Sequence, residues 1–293
     1  MTHALCLALV FFAVHSQAAT LPFSTVFKGQ DKFNSVVAKT KPLVAELRAM
    51  PIGERTAWFG QLFVGTPYKG HTLEIHDRIE AASVNLNGLD CWTFFETARA
   101  FARMCEQPVE NWTPHTLLRY IELDRYWGGR CDGTYLSRLH YLEDWSQDNE
   151  KRGLVDDITR QLGALSVTNA AREMTINWKG YRYMVSSASN RTGISALEAR
   201  LRESPLPMIP KSRVSAIEPK LRSGDIISIV SKDGGAFGTS HVGLALRTRD
   251  GVLHFMHASA PRNYGKVVID SRLSDYLTRY GSHAGIMVTR PLK

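Results

Sequence analysis

Between Phe27 and Phe63 the apolar residues recur every three or four positions. In "FNSVVAKTKPLVAELRAM", Val36, Val37, Leu43, Val44 and Leu47 fall on helical spacing, with Pro42 breaking or starting a segment. "FVGTPYKG" follows as a loop punctuated by glycine and proline. Residues 90 to 104 predict an amphipathic helix whose apolar positions include Trp92, Phe95, Ala98, Phe101 and Ala102, and residues 114 to 125 predict a second. From about 150 to 218 the chain is charged, carries Ser, Arg and Pro, and has no repeat, which reads as an insertion elaborating the core. After Leu221 the period changes. "DIISIV", "HVGLAL", "VLHFMHAS", "KVVID" and "GIMVTRP" are β-type runs separated by Gly, Asp, Asn and Lys. Helices first and a small antiparallel sheet or barrel last is the order of an α+β protein, not of a doubly wound α/β one.

The 293 residues, 44% of them hydrophobic, suffice for one large core or two small ones. The first residues add a targeting expectation. "MTHALCLALVFFAVHSQAA" holds an apolar stretch from Ala4 to Val14 and then Ser16-Gln17-Ala18, the small-x-small form of a signal-peptidase site. Residues 1–19 are therefore expected to be a signal peptide and 20–293 the mature domain, exported to a periplasm or secreted. No later segment approaches the roughly 18 apolar residues that a membrane span needs.

Loss of the leader removes Cys6 and no Lys, Arg, Asp or Glu. The mature chain keeps a formal charge of +8 and three cysteines, Cys91, Cys105 and Cys131. In an oxidising compartment an odd count leaves one thiol over. Cys105 with Cys131 is one possible bridge; another pair, or none, is equally compatible with the spacing. The positive balance favours an anionic partner, for which a carboxylate-rich cell wall is the natural candidate. Nucleic acid is disfavoured, because Lys and Arg are scattered along the chain without a binding motif.

Cys91 follows Asp90 at the start of the predicted 90–104 helix. If Asp90 caps that helix, the unpaired N–H groups and the dipole of the first turn favour a thiolate. The alternative is a buried structural thiol. A nucleophile needs a base, usually histidine, oriented by a third polar group. In "TSHVGLALRTRDGVLHFMHAS" two β-type runs flank a turn at Thr248–Gly251, and folding about it brings His241 opposite His257 or its immediate neighbour. His254 falls about 13 Å further along the strand, on the other face. Two strand histidines can also be purely structural. A zinc site of Cys91, His241 and His257 lacks the close ligand pairs that usually announce one, so no metal and no cofactor is expected.

Four of these stretches, in this order, resemble elements of the NlpC-type cell-wall cysteine peptidases, which have a papain-like fold. "VGTPYKG" is similar to their Gly-x-Pro-Tyr loop and "GLDCWTFFE" to their Asp-Cys-Ser-Gly-Phe element. "LRSGDIISIV" resembles their Leu-x-x-Gly-Asp strand, and "SHVGLAL" with "MHAS" their two histidine strands. The tract "YWGGRCDGTYLSRLHYLEDWSQDNE" resembles instead a branch labelled N-acetylmuramoyl-L-alanine amidase-like and long regarded as a domain of unknown function.

The resemblance implies Cys91 as nucleophile, His241 as general base and His257 as the orienting third member, with Tyr68, Asp90 and Ser240 near the substrate's free amino end. From the residues alone, Asp90 is equally a helix cap, Tyr68 a loop anchor and Ser240 a strand-edge hydroxyl. Trp92 and Thr93 depart from the small Ser-Gly of the family and are expected to reshape the pocket. His140, in "SRLHY", is left outside the catalytic set. The implied activity is a cysteine amidase or endopeptidase acting on peptidoglycan stem peptides or muropeptides. Its first expected bond is γ-D-glutamyl-diamino acid and its second N-acetylmuramoyl-L-alanine. The alternatives are a thioester acyltransferase of the same fold and a non-catalytic wall-binding protein.

Overall fold

The computed structural model describes residues 21–292; the leader expected over residues 1–19 lies outside them. The main helices of the first half are α1 (Gln30–Thr40), α2 (Val44–Ala49), α3 (Ile52–Gln61), α4 (Cys91–Met104), α5 (Pro114–Arg125) and α6 (Leu142–Lys151). The strands of the main sheet are β1 (Val155–Asp157), β2 (Leu165–Val167), β3 (Leu206–Pro210), β4 (Ile226–Asp233), β5 (Ala236–Arg247), β6 (Leu253–Ala258), β7 (Val267–Arg272) and β8 (His283–Pro291). Three further helices accompany them: α7 (Ala188–Arg202), α8 (Lys211–Ile217) and α9 (Leu273–Arg279). Among the described residues no helix is long and apolar enough to cross a membrane.

The sheet runs β2-β3-β8-β4-β5-β6-β7, with β1 also paired to β8, and its pairs are antiparallel. All five β-type runs of the sequence are strands of it. The molecule is thus an α+β protein. Alternation along the strands serves two cores. Val242, Leu244, Leu246 and Met256 face the helical layer of α3 and α4, while Ile227, Ile229, Ala245 and Phe255 pack with α8 and α9. The 150–218 stretch is woven into this architecture: it supplies β1, β2 and β3 to one flank and α8 to the second face.

The α4 helix is buried on every side, which the amphipathic pattern did not imply. Phe94, Phe95, Ala98 and Phe101 have no exposed surface, but Glu96, Arg99 and Arg103 are buried as well. Charge in such a place is tolerable only when paired. The α5 helix supplies the partners. Arg99 Nε donates to Asp124 Oδ2 at 3.0 Å, Arg103 pairs with the same carboxylate, and Arg125 Nε donates to Glu96 Oε2 at 2.8 Å. In "LRSGDIISIV" the glycine is structural. Gly224 has φ +85°, and a Cβ there would lie 1.8 Å from the Gly53 carbonyl oxygen in α3.

Candidate active site

Cys91 is the first residue of α4 because Asp90 caps the helix. The Asp90 carboxylate accepts from the Thr93 N–H at 2.8 Å, and the Thr93 hydroxyl accepts from the Asp90 N–H at 3.0 Å, a reciprocal capping box. Thr93 is therefore buried in the cap and does not line the pocket, contrary to the expectation that it would shape it. Trp92 does line it, its indole N–H held by Glu96 Oε1 at 2.8 Å.

The 22 residues separating Tyr68 from Cys91 do not keep them apart. Tyr68 donates its N–H to Gly265 O at 2.8 Å, Leu89 donates to Pro67 O at 3.1 Å, and Lys69 donates to Leu89 O at 3.1 Å. The Gly-x-Pro-Tyr loop is thereby stitched between the approach to α4 and the loop before β7.

The hairpin carrying the histidines closes differently from the simplest reading. Thr248 N–H donates to Val252 O at 3.0 Å across Arg249-Asp250-Gly251, with Gly251 at φ +82°, and the ladder runs from Arg247 opposite Leu253 to Leu244 opposite Met256. Continued one step, that register sets His257 beside Gly243 and not beside His241. The two histidines still meet, on the diagonal. A Cβ on Gly243 would lie 2.6 Å from Met256 O and 2.8 Å from His257 Cβ, so the absent side chain leaves the space across which the rings approach. His241 Nε2 and His257 Nδ1 are 2.7 Å apart. His254 lies outside this pair, with its Nδ1 2.7 Å from the Asp270 carbonyl oxygen.

Behind His257 stand residues that no motif had flagged. Its Nε2 is 3.3 Å from Asp270 Oδ2, and Arg279 Nη2 donates to Asp270 Oδ1 at 3.0 Å. The rings of Phe255 and Tyr276 flank the imidazole at centroid distances of 4.6 and 5.1 Å. The signal in the sequence was the acidic end of "KVVID". Val268 lies opposite His257, so an aspartate two residues on is its diagonal neighbour. With both ring nitrogens engaged, His257 has none to give a metal.

Tyr68, Asp90, Cys91, Ser240 and His241 line one cavity of about 680 Å³, within the roughly 300–1,000 Å³ usual for small-molecule sites. His257 supports it from behind. Ser240 sits at a bulge between Ile229 and Val230, where its hydroxyl is 2.7 Å from that of Ser231. The far wall comes from the two tracts with no strand pattern: Arg138 to Glu143, and Ala170 to Asn177 with Tyr181. His140 belongs to that wall, its Nε2 2.9 Å from the Tyr135 carbonyl oxygen. Despite the chain's +8 charge, the lining holds four carboxyls (Glu74, Asp90, Glu143, Glu173) against two guanidiniums (Arg138, Arg172). The positive balance does not describe the cavity.

The electrostatics depart from the thiolate expectation. Burial, with the Asp90 carboxylate second, pushes the Cys91 thiol up to about 12 against the opposing N–H groups of Val242, Trp92 and Cys91 itself. Burial, then the neighbouring His257, His283 and Arg262, holds His241 well below 6.5. Burial also lowers His257, although Asp270 pulls it the other way. These directions favour a neutral thiol and two neutral imidazoles at rest. Cys91, Cys105 and Cys131 are all free, so no disulfide singles out Cys91 by elimination.

Residues 58–286 match the family described as AmiA-like, N-acetylmuramoyl-L-alanine amidase-like. Among solved structures, an N-acetylmuramoyl-L-alanine amidase from Bacteroides uniformis is 27% identical, covers 83% of this chain and 99% of its own, and superposes with a TM-score of 0.72. A Bacteroides fragilis protein provisionally named a xylanase is 32% identical over 80% of this chain and 99% of its own, with a TM-score of 0.69. A Legionella pneumophila protein at 22% identity, covering 89% of this chain and 95% of its own with a TM-score of 0.62, shares the fold. None of the curated proteins compared matches the sequence. The extent of the family match, over most of the chain, establishes that this protein belongs to the N-acetylmuramoyl-L-alanine amidase-like family.

Proposed function

We propose that this protein is an extracytoplasmic cysteine amidase of peptidoglycan, hydrolysing the bond between the lactyl group of N-acetylmuramic acid and L-alanine. The observation that carries the reading is that Cys91 and His241 open onto one cavity, in a fold that matches 83% of this chain to 99% of a named amidase. The family supplies the substrate class and the cavity supplies the chemistry. A papain-like mechanism fits these groups. As Cys91 Sγ attacks the lactyl carbonyl carbon, His241 takes the thiol proton, and N–H groups at the start of α4 donate to the developing oxyanion. The imidazolium then protonates the alanine nitrogen, the C–N bond breaks, and water hydrolyses the thioester with His241 again as base. Tyr68, Asp90 and Ser240 on the cavity wall serve substrate binding.

Glycoside hydrolysis, the chemistry named for the Bacteroides fragilis relative, requires two available carboxyls flanking one bond. Here Glu74 is paired with Arg138, Glu173 accepts from Tyr181, and Glu143 accepts from Thr239. The amidase reading is therefore preferred. A second bond within the same chemistry, γ-D-glutamyl-diamino acid, is favoured by the acid-rich lining, which suits a free amino end. Disaccharide-tripeptide muropeptides separate the two. The expected products by mass spectrometry are the disaccharide with a free lactyl carboxylate and the intact tripeptide. A disaccharide still carrying L-alanine and D-glutamate would replace the first bond by the second.

A further inference from the structure

Asp270 is more than a neighbour of His257. Its Oδ1 accepts from the Ser271 N–H at 2.6 Å and from Arg279 Nη2 at 3.0 Å, and its Oδ2 accepts from Arg279 Nη1 at 3.2 Å while facing His257 Nε2 at 3.3 Å. Arg279 is itself fixed by Ser271 Oγ at 2.9 Å. Burial works to raise this carboxyl, but His257, the Ser271 N–H and Arg279 together hold it well below the usual carboxylate range. It is thus an anion that can only accept.

That property propagates by hydrogen-bond bookkeeping. An acceptor at Asp270 requires the His257 proton on Nε2, which leaves His257 Nδ1 as an acceptor. The 2.7 Å contact then requires His241 to donate from Nε2. The ring nitrogen of His241 that remains is Nδ1, bare of a proton.

We infer that Asp270, clamped by Arg279, is a positioning residue that sets the tautomer of His257 and, through it, of His241, so that His241 offers an unprotonated nitrogen to the Cys91 thiol. Its catalytic consequence rests on the hydrolase reading above; the tautomers themselves do not. In Asp270→Asn, the amide oxygen is claimed by the Ser271 N–H and Arg279, which turns the NH2 toward His257. That donor reverses both rings and puts the proton of His241 on Nδ1, where it blocks base catalysis.

The test combines imidazole 15N NMR with muropeptide kinetics. The wild-type protein is expected to show Nε2–H on both His241 and His257. Asp270→Asn is expected to show Nδ1–H on both and a kcat lowered at least about 100-fold with KM nearly unchanged, as loss of a group that orients a histidine typically produces. Arg279→Gln keeps the carboxylate, and is expected to retain the wild-type tautomers with a fall in kcat of less than about tenfold. Nδ1–H on either histidine of the wild type would overturn the inference, as would unchanged tautomers and unchanged kcat in Asp270→Asn. If Asp270→Asn does not fold, the wild-type and Arg279→Gln spectra decide. A wild-type protein that cleaves no muropeptide would defeat the hydrolase reading while leaving the tautomer result to stand or fall alone.

Discussion

Cys91 illustrates how a local rule and its surroundings can pull in opposite directions. The cap at Asp90 and the first-turn N–H groups were legible in "GLDCWT", and by themselves they favour a thiolate. The environment contributed by β5 was not legible, and burial there outweighs the dipole. If the thiol stands near 12, alkylation of Cys91 by iodoacetamide should accelerate about tenfold per pH unit from 6 to 9 without levelling off, because the thiolate fraction keeps rising below the pKa. Peptide mass spectrometry separates this site from Cys105 and Cys131. A plateau reached below pH 7 would mean a preformed thiolate. The pairing of His241 with His257 was readable from the hairpin, yet by a register one step off, since only the structure reveals the three-residue loop closed by Gly251. The signal for Asp270, the acidic end of "KVVID", is harder to use for a related reason: its partner lies across a second hairpin that contains a bulge.

At the scale of elements, α4 and the five C-terminal strands were predicted by periodicity, and the structure has them. What periodicity misses is that α4 is encased. Twelve of its residues from Thr93 to Met104 are buried, including a polar stripe that in isolation reads as a solvent face. The distinction lies in α5, whose Asp124 and Arg125 neutralise that stripe from a position 20 or more residues away. Asp124→Ala would take from the buried Arg99 guanidinium the carboxylate that Nε donates to. Loss of a buried partner costs about 3–5 kcal/mol, so the midpoint of urea unfolding should fall sharply with no change in the cavity lining. A loss below about 1 kcal/mol, the value of an exposed pair, would show that water reaches Arg99.

For the whole molecule, the decisive feature is how two dissimilar parts of the chain share one cavity. One wall is built from the elements that resemble NlpC-type peptidases: the Tyr68 loop, the start of α4 and β5. The other is built from residues 138–143 and 170–181, which carry no regular hydrophobic pattern and whose Tyr141, Ala171 and Met174 pack in a separate core with Tyr183, Ile194 and Leu201. The first wall was consequently more legible than the second, and overall charge was a poor guide to the lining. The account stands on Cys91 as nucleophile, and its most direct test is the rate of muropeptide cleavage by the purified protein beside Cys91→Ala, both checked for folding by circular dichroism. The wild type should release stem peptide and the alanine variant should release none above background. Equal release by the two proteins would contradict the account.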